Sequence, residues 1–348
     1  MKNYAIVLAA GKGTRMKTEL PKCAFPILKK PMIEYIVENI EKSVIDETTV
    51  VVGHQKEIFY DLLDGRTSFA VQDKQLGTGH AVKVTKDVLA DKVGTTIIML
   101  GDMPLVDFKI INKVFSFHKD RGNDLTVLTT TFDNPKGYGR IVRNEYGNIE
   151  AIVEQNDCTT EQKRIKEVNT GIYVVDNRKL FDAVDRIKKN GKKGEYYLTD
   201  IVEIMKKDHV VGTFDLWDNA KVMGINDLYS VSIAEKYLRD LINKEHMLNG
   251  VSIINPETVT IGHDVTIESN VTIYPNTYIT GGSVIKTGSK IGPNTEIHTS
   301  MIHENVKVKH SLVFDSIVNK NTLIGPFAHL RNGANIGEGN RIGNFVEV

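Results

Sequence analysis

An aliphatic residue stands at every sixth position through the C-terminal part of the chain. Isoleucine alone fills the first seven of these positions, and after a slip of three residues the period resumes and continues to the last residue. Neither the helical repeat of about 3.6 residues nor the two-residue alternation of a strand produces this spacing. It is the signature of a parallel β-helix, in which three hexads form one coil and the aliphatic side chains point inward. The predicted inward positions are Ile261, Ile267, Ile273, Ile279, Ile285, Ile291, Ile297, Val306, Leu312, Val318, Ile324, Leu330, Ile336, Ile342 and Val348.

This period predicts a left-handed parallel β-helix over residues 250–348, with roughly five coils. Glycine follows the aliphatic residue in several hexads, including Gly262 and Gly292, where the chain must turn a tight corner. The last coil ends at Val348 on a predicted inward position, and no capping element follows it, although a solenoid needs one over its terminal coil. We therefore expect the sequence to stop part-way through this domain.

A different pattern occupies the first 226 residues. Short runs rich in Val, Ile, Leu and Thr are predicted strands at Tyr4–Ala10, Thr48–Gly53, Thr96–Leu100 and Asp124–Thr131, whereas Pro31–Ser43 has apolar residues at helical spacing. Alternating strands and helices predict an α/β domain whose mostly parallel, Rossmann-like sheet has helices on both faces. Such sheets bind ligands beyond the carboxyl ends of their strands, so functional residues are expected there.

Residues 227–249 separate the two patterns. Apolar residues such as Leu228, Val231 and Leu238 recur among charged ones at helical spacing, which predicts one amphipathic helix. We therefore expect an α/β domain over residues 1–226, a linker helix over 227–249 and a β-helix domain over 250–348.

The overall charge gives no sign of a polyanionic partner. The 44 Lys and Arg residues balance 44 Asp and Glu residues, so binding to nucleic acid or to a membrane surface is not expected. No apolar run approaches the roughly 20 residues of a membrane span, and the charged N-terminus is unlike a signal peptide. The two cysteines, Cys23 and Cys158, are too few for a disulfide framework, and Cys23 is expected to be a buried, inert thiol. Together these features predict a cytoplasmic protein.

Several charged residues follow predicted strands or adjoin the loop after the first one. The loop Gly11-Lys-Gly-Thr-Arg15 follows the first strand directly, and its glycines and cations suit a phosphate. A tight turn with solvated side chains is the alternative, because the loop lacks the full dinucleotide and P-loop signatures. Lys22 is either a point charge for a triphosphate or a surface lysine. Asp102 ends another strand, where it either ligates a Mg²⁺ ion that bridges phosphates or caps the next helix.

Five segments, read together, resemble one known family. Leu8–Met16, Gly77–Ala81, Gly137–Ile141, Asn169–Ile172 and Gly194–Tyr197 resemble the bacterial bifunctional N-acetylglucosamine-1-phosphate uridyltransferase/glucosamine-1-phosphate acetyltransferases, the GlmU family of peptidoglycan precursor synthesis. The resemblance covers essentially all 348 residues, in order. It implies that residues 1–226 form a nucleotidyltransferase (pyrophosphorylase) domain. That domain would transfer UMP from UTP to N-acetyl-α-D-glucosamine 1-phosphate, giving UDP-N-acetylglucosamine and pyrophosphate, with Mg²⁺ as cofactor.

The resemblance also implies roles for individual residues. Arg15 and Lys22 would be the catalytic cations that bind the phosphates of UTP, and Asp102 and Asn226 would ligate Mg²⁺. No chemical role is assigned to His80. The nucleotide-binding residues would be Leu8, Ala9, Ala10, Gly11, Gly13, Lys22, Gln72, Gly77 and Thr78. The sugar would be bound by Gly139, Glu154 and Asn169, with Glu195 and Tyr196 nearby.

The β-helix implies a second activity and a partner. Gly325–Arg331 and Gly343–Glu347 match the start of the family's acetyltransferase site, with Arg331 at a substrate-binding arginine. The next lysine, the catalytic histidine and the acetyl-CoA-binding coils would follow Val348, so acetylation of glucosamine 1-phosphate is expected to be absent. The resemblance also implies a homotrimer formed through the β-helix.

Two other functions remain open. The chain could be another sugar-1-phosphate nucleotidyltransferase, such as a glucose-1-phosphate thymidylyltransferase or adenylyltransferase, some of which also carry hexapeptide repeats. The segments at Gly77–Ala81, Asn169–Ile172 and Gly194–Tyr197 argue against this alternative. A catalytically silent assembly subunit would be favoured by the loss of Lys22 or Asp102, but both residues are present.

Overall fold

The computed structural model describes residues 1–190 and 194–348 and divides into two compact units, Met1–Val231 and Ser232–Val348. The boundary falls within a long helix, at the place where the sequence predicts a linker helix. The helices are α1 (Met32–Glu41), α2 (Lys56–Leu62), α3 (Thr78–Lys83), α4 (Lys86–Leu89), α5 (Phe108–Asp120), α6 (Asn177–Asp185), α7 (Ile201–Met205) and α8 (Leu228–Leu248). No helix in these described ranges has the length and apolar character needed to cross a membrane.

A twisted central sheet organises the first unit. Its strand order is β13-β7-β10-β6-β1-β4-β5, with β8 and β9 attached beside β10. Strands β6, β1, β4 and β5 are parallel, and β10 runs antiparallel between β6 and β7, so the sheet is mostly parallel as predicted. The strands of this unit are β1 (Lys2–Leu8), β2 (Pro26–Ile27), β3 (Lys30–Pro31), β4 (Glu47–Val52), β5 (Ser68–Val71), β6 (Gly94–Leu100), β7 (Leu125–Thr131), β8 (Arg140–Arg143), β9 (Ile149–Val153), β10 (Glu167–Asp176), β11 (Lys189–Asn190), β12 (Glu195–Tyr196) and β13 (Val211–Asp215).

Helices cover both faces of this sheet because its central strands are apolar on both faces. Along β1, Tyr4 and Ile6 belong to one buried cluster, whereas Ala5 and Val7 belong to another on the opposite face. Helices α3, α6 and α7 contribute apolar side chains to the first cluster, and α1 and α5 contribute to the second. Two buried layers therefore hold the sheet, as expected for a doubly covered α/β domain.

The register of the parallel strands brings their following loops together. Leu8 at the end of β1 is aligned with Leu100 at the end of β6 and with Val51 in β4. The loops that carry Gly11 and Asp102 therefore leave the sheet side by side, at the carboxyl-end edge where α/β sheets bind ligands.

Three parallel sheets make up the second unit, in the form of the predicted β-helix. Their orders are β14-β17-β20-β23-β26-β29, β15-β18-β21-β24-β27 and β16-β19-β22-β25-β28, so each strand pairs with the strand one coil later. Ile261, Ile279 and Ile297 lie in register and are fully buried. The strands are β14 (Ser252–Ile253), β15 (Thr260–Ile261), β16 (Thr266–Ile267), β17 (Thr272–Ile273), β18 (Thr277–Thr280), β19 (Val284–Ile285), β20 (Lys290–Ile291), β21 (Thr295–His298), β22 (Met301–Ile302), β23 (Lys307–Val308), β24 (Leu312–Phe314), β25 (Ile317–Val318), β26 (Leu323–Ile324), β27 (His329–Leu330), β28 (Asn335–Ile336) and β29 (Arg341–Ile342).

The predicted inward register is wrong at two positions. Val313, not Leu312, pairs with Ile297 and is fully buried, while Leu312 is 38% exposed. Val308, not Val306, pairs with Ile291, although Val306 is also buried. The buried strand residues here are Ile297, Ile302, Val308, Val313 and Val318, so three of the four intervals are five residues long instead of six. A fixed period of six cannot follow these shortened sides of the coil.

Candidate functional site

Two adjoining cavities open beyond the carboxyl ends of β1 and β6. They share the lining residues Leu8, Thr78, Leu100, Asp102 and Glu154. The Gln72 cavity is further lined by Ala10, Gly11, Lys22, Cys23, Gln72, Gln75, Gly77, Ala81, Glu195 and Tyr197. The Asn169 cavity is further lined by Arg15, Met103, Gly137, Tyr138, Gly139, Asn169, Thr170, Gly171, Tyr173, Leu198, Thr199, Gly224 and Asn226.

The loop after β1 is folded closely against Lys22. Gly13 has a φ of 61°, a left-handed conformation that glycine adopts without steric cost. A Cβ atom at Gly13 would lie 2.5 Å from the Cβ of Lys22, so any larger residue would push the two segments apart. The glycine therefore allows the backbone to bring Lys22 to the edge of the sheet.

Four predicted residues form one charged network where the two cavities meet. Lys22 Nζ donates to Asp102 Oδ2 and, over 2.7 Å, to Asn226 Oδ1. Arg15 Nη2 donates to the same Asn226 oxygen over 2.6 Å. The side chains of Lys22 and Asp102 are only 12% and 15% exposed, so their attraction is screened less by water than that of a surface pair.

Asn226 is held by the start of α8. Its backbone N–H donates to Ser230 Oγ over 2.9 Å, and its side-chain amide donates to the carbonyl of Gly224 over 3.1 Å. Asp227 caps the helix by accepting from the Ser230 N–H over 2.8 Å. One N–H of the Asn226 amide is therefore bonded to Gly224, and its Oδ1 accepts from Arg15 and Lys22.

Asp102 and Asn226 offer a divalent cation the oxygen ligands that it prefers. Asp102 Oδ1 is buried and has no hydrogen-bond partner among the residues that the structure describes. Asn226 Oδ1 contacts the same Lys22 Nζ atom that pairs with Asp102. No group of three or more His, Cys, Asp and Glu side chains suited to a metal occurs within residues 1–190 and 194–348. A metal here would take its other ligands from phosphate and water, as Mg²⁺ commonly does.

The side chain of Gln72 is fixed in one orientation. Its Nε2 donates to the carbonyl of Gly77 over 3.1 Å and lies 3.0 Å from His80 Nδ1. Because a carbonyl only accepts, the atom next to Gly77 must be the amide nitrogen, and His80 Nδ1 is then the acceptor of its second hydrogen. Burial lowers the pKa of His80, which favours this neutral ring. Both donors of Gln72 are used, so its oxygen is left to accept from a ligand.

The wall of the Asn169 cavity formed by Gly139, Glu154, Asn169 and Tyr173 is polar, with Glu154 as its charged residue. Asn169 donates from its backbone to the carbonyl of Gly139 over 2.9 Å and from its amide to the Tyr173 hydroxyl over 2.7 Å. A Cβ atom at Gly139 would lie 3.0 Å from Ile152 and 3.7 Å from the Glu154 carboxyl, so glycine keeps this wall open. Burial raises the pKa of Glu154, because the charged carboxylate loses solvation there.

Most of the residues predicted from the sequence line these two cavities. The Gln72 cavity contains Leu8, Ala10, Gly11, Lys22, Gln72, Gly77, Thr78 and Glu195, and the Asn169 cavity contains Arg15, Asp102, Gly139, Glu154, Asn169 and Asn226. Ala9 lies at the start of the same loop, where its N–H donates to Val51 over 2.8 Å. Arg331 belongs to the β-helix unit, where it pairs with Glu347.

Tyr196, which the resemblance places near the sugar, lines a different pocket from its neighbours in sequence. Its side chain lines a separate pocket with His80, Lys83 and Ile187, while the neighbouring Tyr197 lines the Gln72 cavity. Successive residues of an extended segment point to opposite sides, so only alternate residues of this run can face one cavity. Tyr138, Thr199 and Gly224 also line the Asn169 cavity, and none of the three is among the individual residues expected to bind a substrate.

Cys23 is a buried free thiol beside Lys22. Its side chain is 5% exposed, and burial, reinforced by Asp102, raises its thiol pKa to about 12. The nearby lysine only partly opposes this rise. The predicted burial of Cys23 is confirmed, and its raised pKa agrees with the expected inertness, because only the thiolate is a strong nucleophile.

Comparison with known proteins agrees with both halves of the chain. Residues 4–220 match the nucleotidyl transferase family, and residues 264–299 and 315–348 match the bacterial transferase hexapeptide family. A solved structure of UDP-glucose pyrophosphorylase in complex with UDP-glucose has a TM-score of 0.56 and 20% identity, covering 69% of this chain and all of that one, which shows a shared fold.

Two curated relatives extend the similarity along the whole chain. The bifunctional protein GlmU of Acholeplasma laidlawii is 58% identical over 348 residues, covering 100% of this chain and 76% of the relative. The bifunctional protein GlmU of Enterococcus faecalis is 42% identical over 346 residues, covering 99% of this chain and 76% of the relative. With a nucleotidyltransferase domain followed by hexapeptide repeats, the chain belongs to the GlmU family of bifunctional transferases.

Proposed function

We propose that the first unit transfers UMP from UTP to N-acetyl-α-D-glucosamine 1-phosphate, giving UDP-N-acetylglucosamine and pyrophosphate for peptidoglycan synthesis. The observation that carries this proposal is the network of Lys22, Arg15, Asp102 and Asn226 where the two cavities meet. In this proposal the Gln72 cavity takes the nucleoside and the Asn169 cavity takes the sugar. The reacting phosphates then lie between them, beside the two cations.

The charge of the network suits the chemistry of this reaction. The attacking oxygen belongs to a sugar phosphate that is largely ionised near neutral pH, so no general base is needed. The protein must instead hold two polyanions together and stabilise the charge that develops as pyrophosphate leaves. Lys22 and Arg15 supply positive charge for both tasks, and the burial of the Lys22 side chain keeps its charge weakly screened, whereas Arg15 is exposed.

Mg²⁺ belongs to the same proposal. Asp102, with its unbonded buried oxygen, and Asn226 would hold the ion. When bound, Mg²⁺ neutralises phosphate charge and orients the triphosphate. Lys22 and Arg15 contact the proposed ligands directly, so metal binding and phosphate binding are coupled in this arrangement.

Uracil is the base that best matches the free oxygen of Gln72. The N3–H of uracil is a donor, whereas N3 of cytosine is an acceptor, and Gln72 presents an acceptor once its amide donors are taken by Gly77 and His80. Thymine shares this edge, so base recognition alone does not separate UTP from dTTP. Glu154, Asn169 and Gly139 are proposed to bind the sugar.

The proposal extends to the assembly and its location. A homotrimer formed through the β-helix is supported by exposed apolar side chains on its sheet faces, Leu312, Ile317 and Leu323, which are 38–43% exposed in one copy. Both cysteines are buried free thiols, which agrees with a reducing cytoplasm. Sedimentation at several concentrations tests the trimer.

A pyrophosphate-release assay tests the reaction. The full chain is mixed with UTP, N-acetylglucosamine 1-phosphate and Mg²⁺, with EDTA as the matched control, and we expect turnover only with the metal. Replacing UTP by dTTP, CTP or ATP, and the sugar by glucose 1-phosphate, tests the alternative nucleotidyltransferases. A preference for dTTP or ATP with glucose 1-phosphate would contradict the proposed substrates.

A further inference from the structure

Arg140 is a buried cation that donates to two neutral acceptors. The residue is 2% exposed, and its guanidinium donates to the carbonyl of Tyr138 and, over 2.9 Å, to Gln155 Oε1. Both acceptors are neutral, and within residues 1–190 and 194–348 no Asp or Glu forms an ion pair with it. Its Nε is buried and has no hydrogen-bond partner in that part of the chain. Burying a charge without an opposite charge beside it costs free energy of folding, so we expect this arginine to have a role that a neutral side chain cannot fill.

One acceptor of Arg140, Tyr138, lines the Asn169 cavity, and the other, Gln155, is bonded to the loop that contains Tyr138. Tyr138 lies between Gly137 and Gly139, and all three residues line this cavity. Gln155 Oε1 also accepts from the backbone N–H of Gly137 over 2.9 Å. The same oxygen therefore ties the start of this short loop to Arg140.

The loop is flexible by composition but fixed by these contacts. Gly137 has a φ of 95°, and Gly139 gives its carbonyl to the Asn169 N–H over 2.9 Å. Arg140 and Gln155 add contacts at Tyr138 and at Gly137, beside the hydrogen bond from the Tyr138 N–H to the Pro135 carbonyl over 3.2 Å and the packing of the Tyr138 ring on Phe132. The planar guanidinium can serve two acceptors on different segments at once, which an ammonium group on a flexible chain does poorly.

We propose that Arg140 is a positioning residue for the sugar phosphate, holding the Gly137–Gly139 loop against the Asn169 cavity through Tyr138 and Gln155. This inference rests on the proposed function, because it assigns that cavity to the sugar. Arg140 itself does not line the cavity. Its effect passes through the loop, so it acts on the sugar phosphate and leaves the nucleotide side unchanged.

Steady-state kinetics of the full chain with Arg140→Met tests the inference. We expect KM for N-acetylglucosamine 1-phosphate to rise about tenfold, as for the loss of hydrogen bonds from a charged group, with KM for UTP within about twofold of the wild type. Arg140→Lys keeps the charge but replaces the planar guanidinium with a single ammonium group, so its KM for the sugar phosphate is expected to lie between those of the wild type and Arg140→Met. Arg143→Met is the matched control, since Arg143 lies in the same strand but pairs with Glu167.

Variants of Gln155 test the same contact if Arg140→Met does not fold. Gln155→Leu removes the shared acceptor and is expected to raise the KM for the sugar phosphate alone, whereas Gln155→Glu keeps the acceptor and is expected to restore it. An active wild type whose variants change both KM values equally, or neither, overturns the role of Arg140. A folded wild type with no turnover overturns the proposed function, and the inference with it.

Discussion

The Nζ atom of Lys22 lies 2.7 Å from Oδ1 of Asn226 and at the same time pairs with the carboxylate of Asp102. Arg15 reaches the same Asn226 oxygen over 2.6 Å. The cations proposed to bind phosphate therefore contact the residues proposed to bind metal. Because one network serves both purposes, changes at any of its members are expected to alter phosphate binding and metal binding together.

Removal of Lys22 is expected to stop most turnover without unfolding the chain. In Lys22→Ala, kcat should fall about a hundredfold or more, the cost of losing one preorganised group that stabilises transition-state charge. Asp102→Ala should have an effect of similar size, because it removes the carboxylate ligand. Pyrophosphate release measures the activity, and circular dichroism checks the fold.

Lys17→Ala is the matched control for this loss. Lys17 lies in the same loop and is exposed, so its removal should leave kcat within about twofold of the wild type, as is usual for surface substitutions. Near-wild-type turnover in either Lys22→Ala or Asp102→Ala would rule out the proposed mechanism.

Metal affinity is expected to move in the opposite direction from activity when Lys22 is replaced. The ammonium group competes with a cation for Asp102 and Asn226, so its loss should tighten metal binding in the absence of nucleotide. We expect Lys22→Met to bind Mn²⁺ about tenfold more tightly, as measured by the free-ion electron paramagnetic resonance signal. Asp102→Asn should weaken binding, and unchanged or weaker affinity in Lys22→Met would show that the lysine does not compete.

His80 is expected to sharpen the preference for uracil although it contacts no substrate. Its Nδ1 accepts one of the two Gln72 amide hydrogens, so it helps to keep the Gln72 oxygen pointed at the base. His80→Leu should reduce the ratio of kcat/KM for UTP to that for CTP by about tenfold. His54→Leu, at an exposed histidine, is the control, and an unaltered ratio in His80→Leu would show that Gly77 alone fixes the amide.

The same contact predicts a pH dependence. Burial lowers the pKa of His80 below its ordinary value of 6.5, so the ring stays neutral at neutral pH and loses its acceptor only in acid. The discrimination against CTP should therefore be constant above about pH 6.5 and fall as pH drops through the lowered pKa. A pH profile of the discrimination that is identical in the wild type and in His80→Leu would contradict this.

Glu154 is expected to reduce stability at high pH. Burial raises its pKa, so the folded state favours the protonated carboxyl, and its contribution to stability is lost as pH rises through the raised value. Glutamine does not ionise. Glu154→Gln should therefore raise the melting temperature at about pH 8 and have a smaller effect near pH 4. The exposed Glu203→Gln should show no such dependence, and a shift of equal size at both pH values would contradict the effect of burial.

The architecture could be predicted because it follows from spacing. The hexads of isoleucine predict the β-helix, and the apolar runs that end at Leu8 and Leu100 predict the sheet edge where Asp102 lies. The register near Val313 could not be predicted, because coils with five-residue sides keep the same inward face while breaking the period. A fixed sequence period predicts which residues point inward only when every side of the coil has the same number of residues.

The sequence and the family resemblance name most of the residues that line the two cavities, but not the contacts among them. Lys22, Asp102 and Asn226 are separated by long stretches of sequence, and the family resemblance alone brings them together before the structure does. The hydrogen bonds that fix Gln72 and the burial of Arg140 depend on side-chain packing between different segments. No local sequence pattern predicts such packing. Tyr196 shows the same limit, since a single residue step decides which of two pockets a side chain enters.

The corrected register of the β-helix makes its own prediction. Ile302 is fully buried in the structure, whereas the fixed six-residue period leaves it outside the set of inward positions. Ile302→Ala should cost about 2–5 kcal/mol in the free energy of unfolding, as for other buried isoleucines that are cut back to alanine. Ile254→Ala is the matched control, since Ile254 belongs to the same unit but is 43% exposed, and its change should stay within about 0.5 kcal/mol.

Urea denaturation followed by circular dichroism measures the free energy of unfolding of both variants. Equal, small losses in the two variants would mean that Ile302 does not point into the coil, and that the five-residue sides are misplaced.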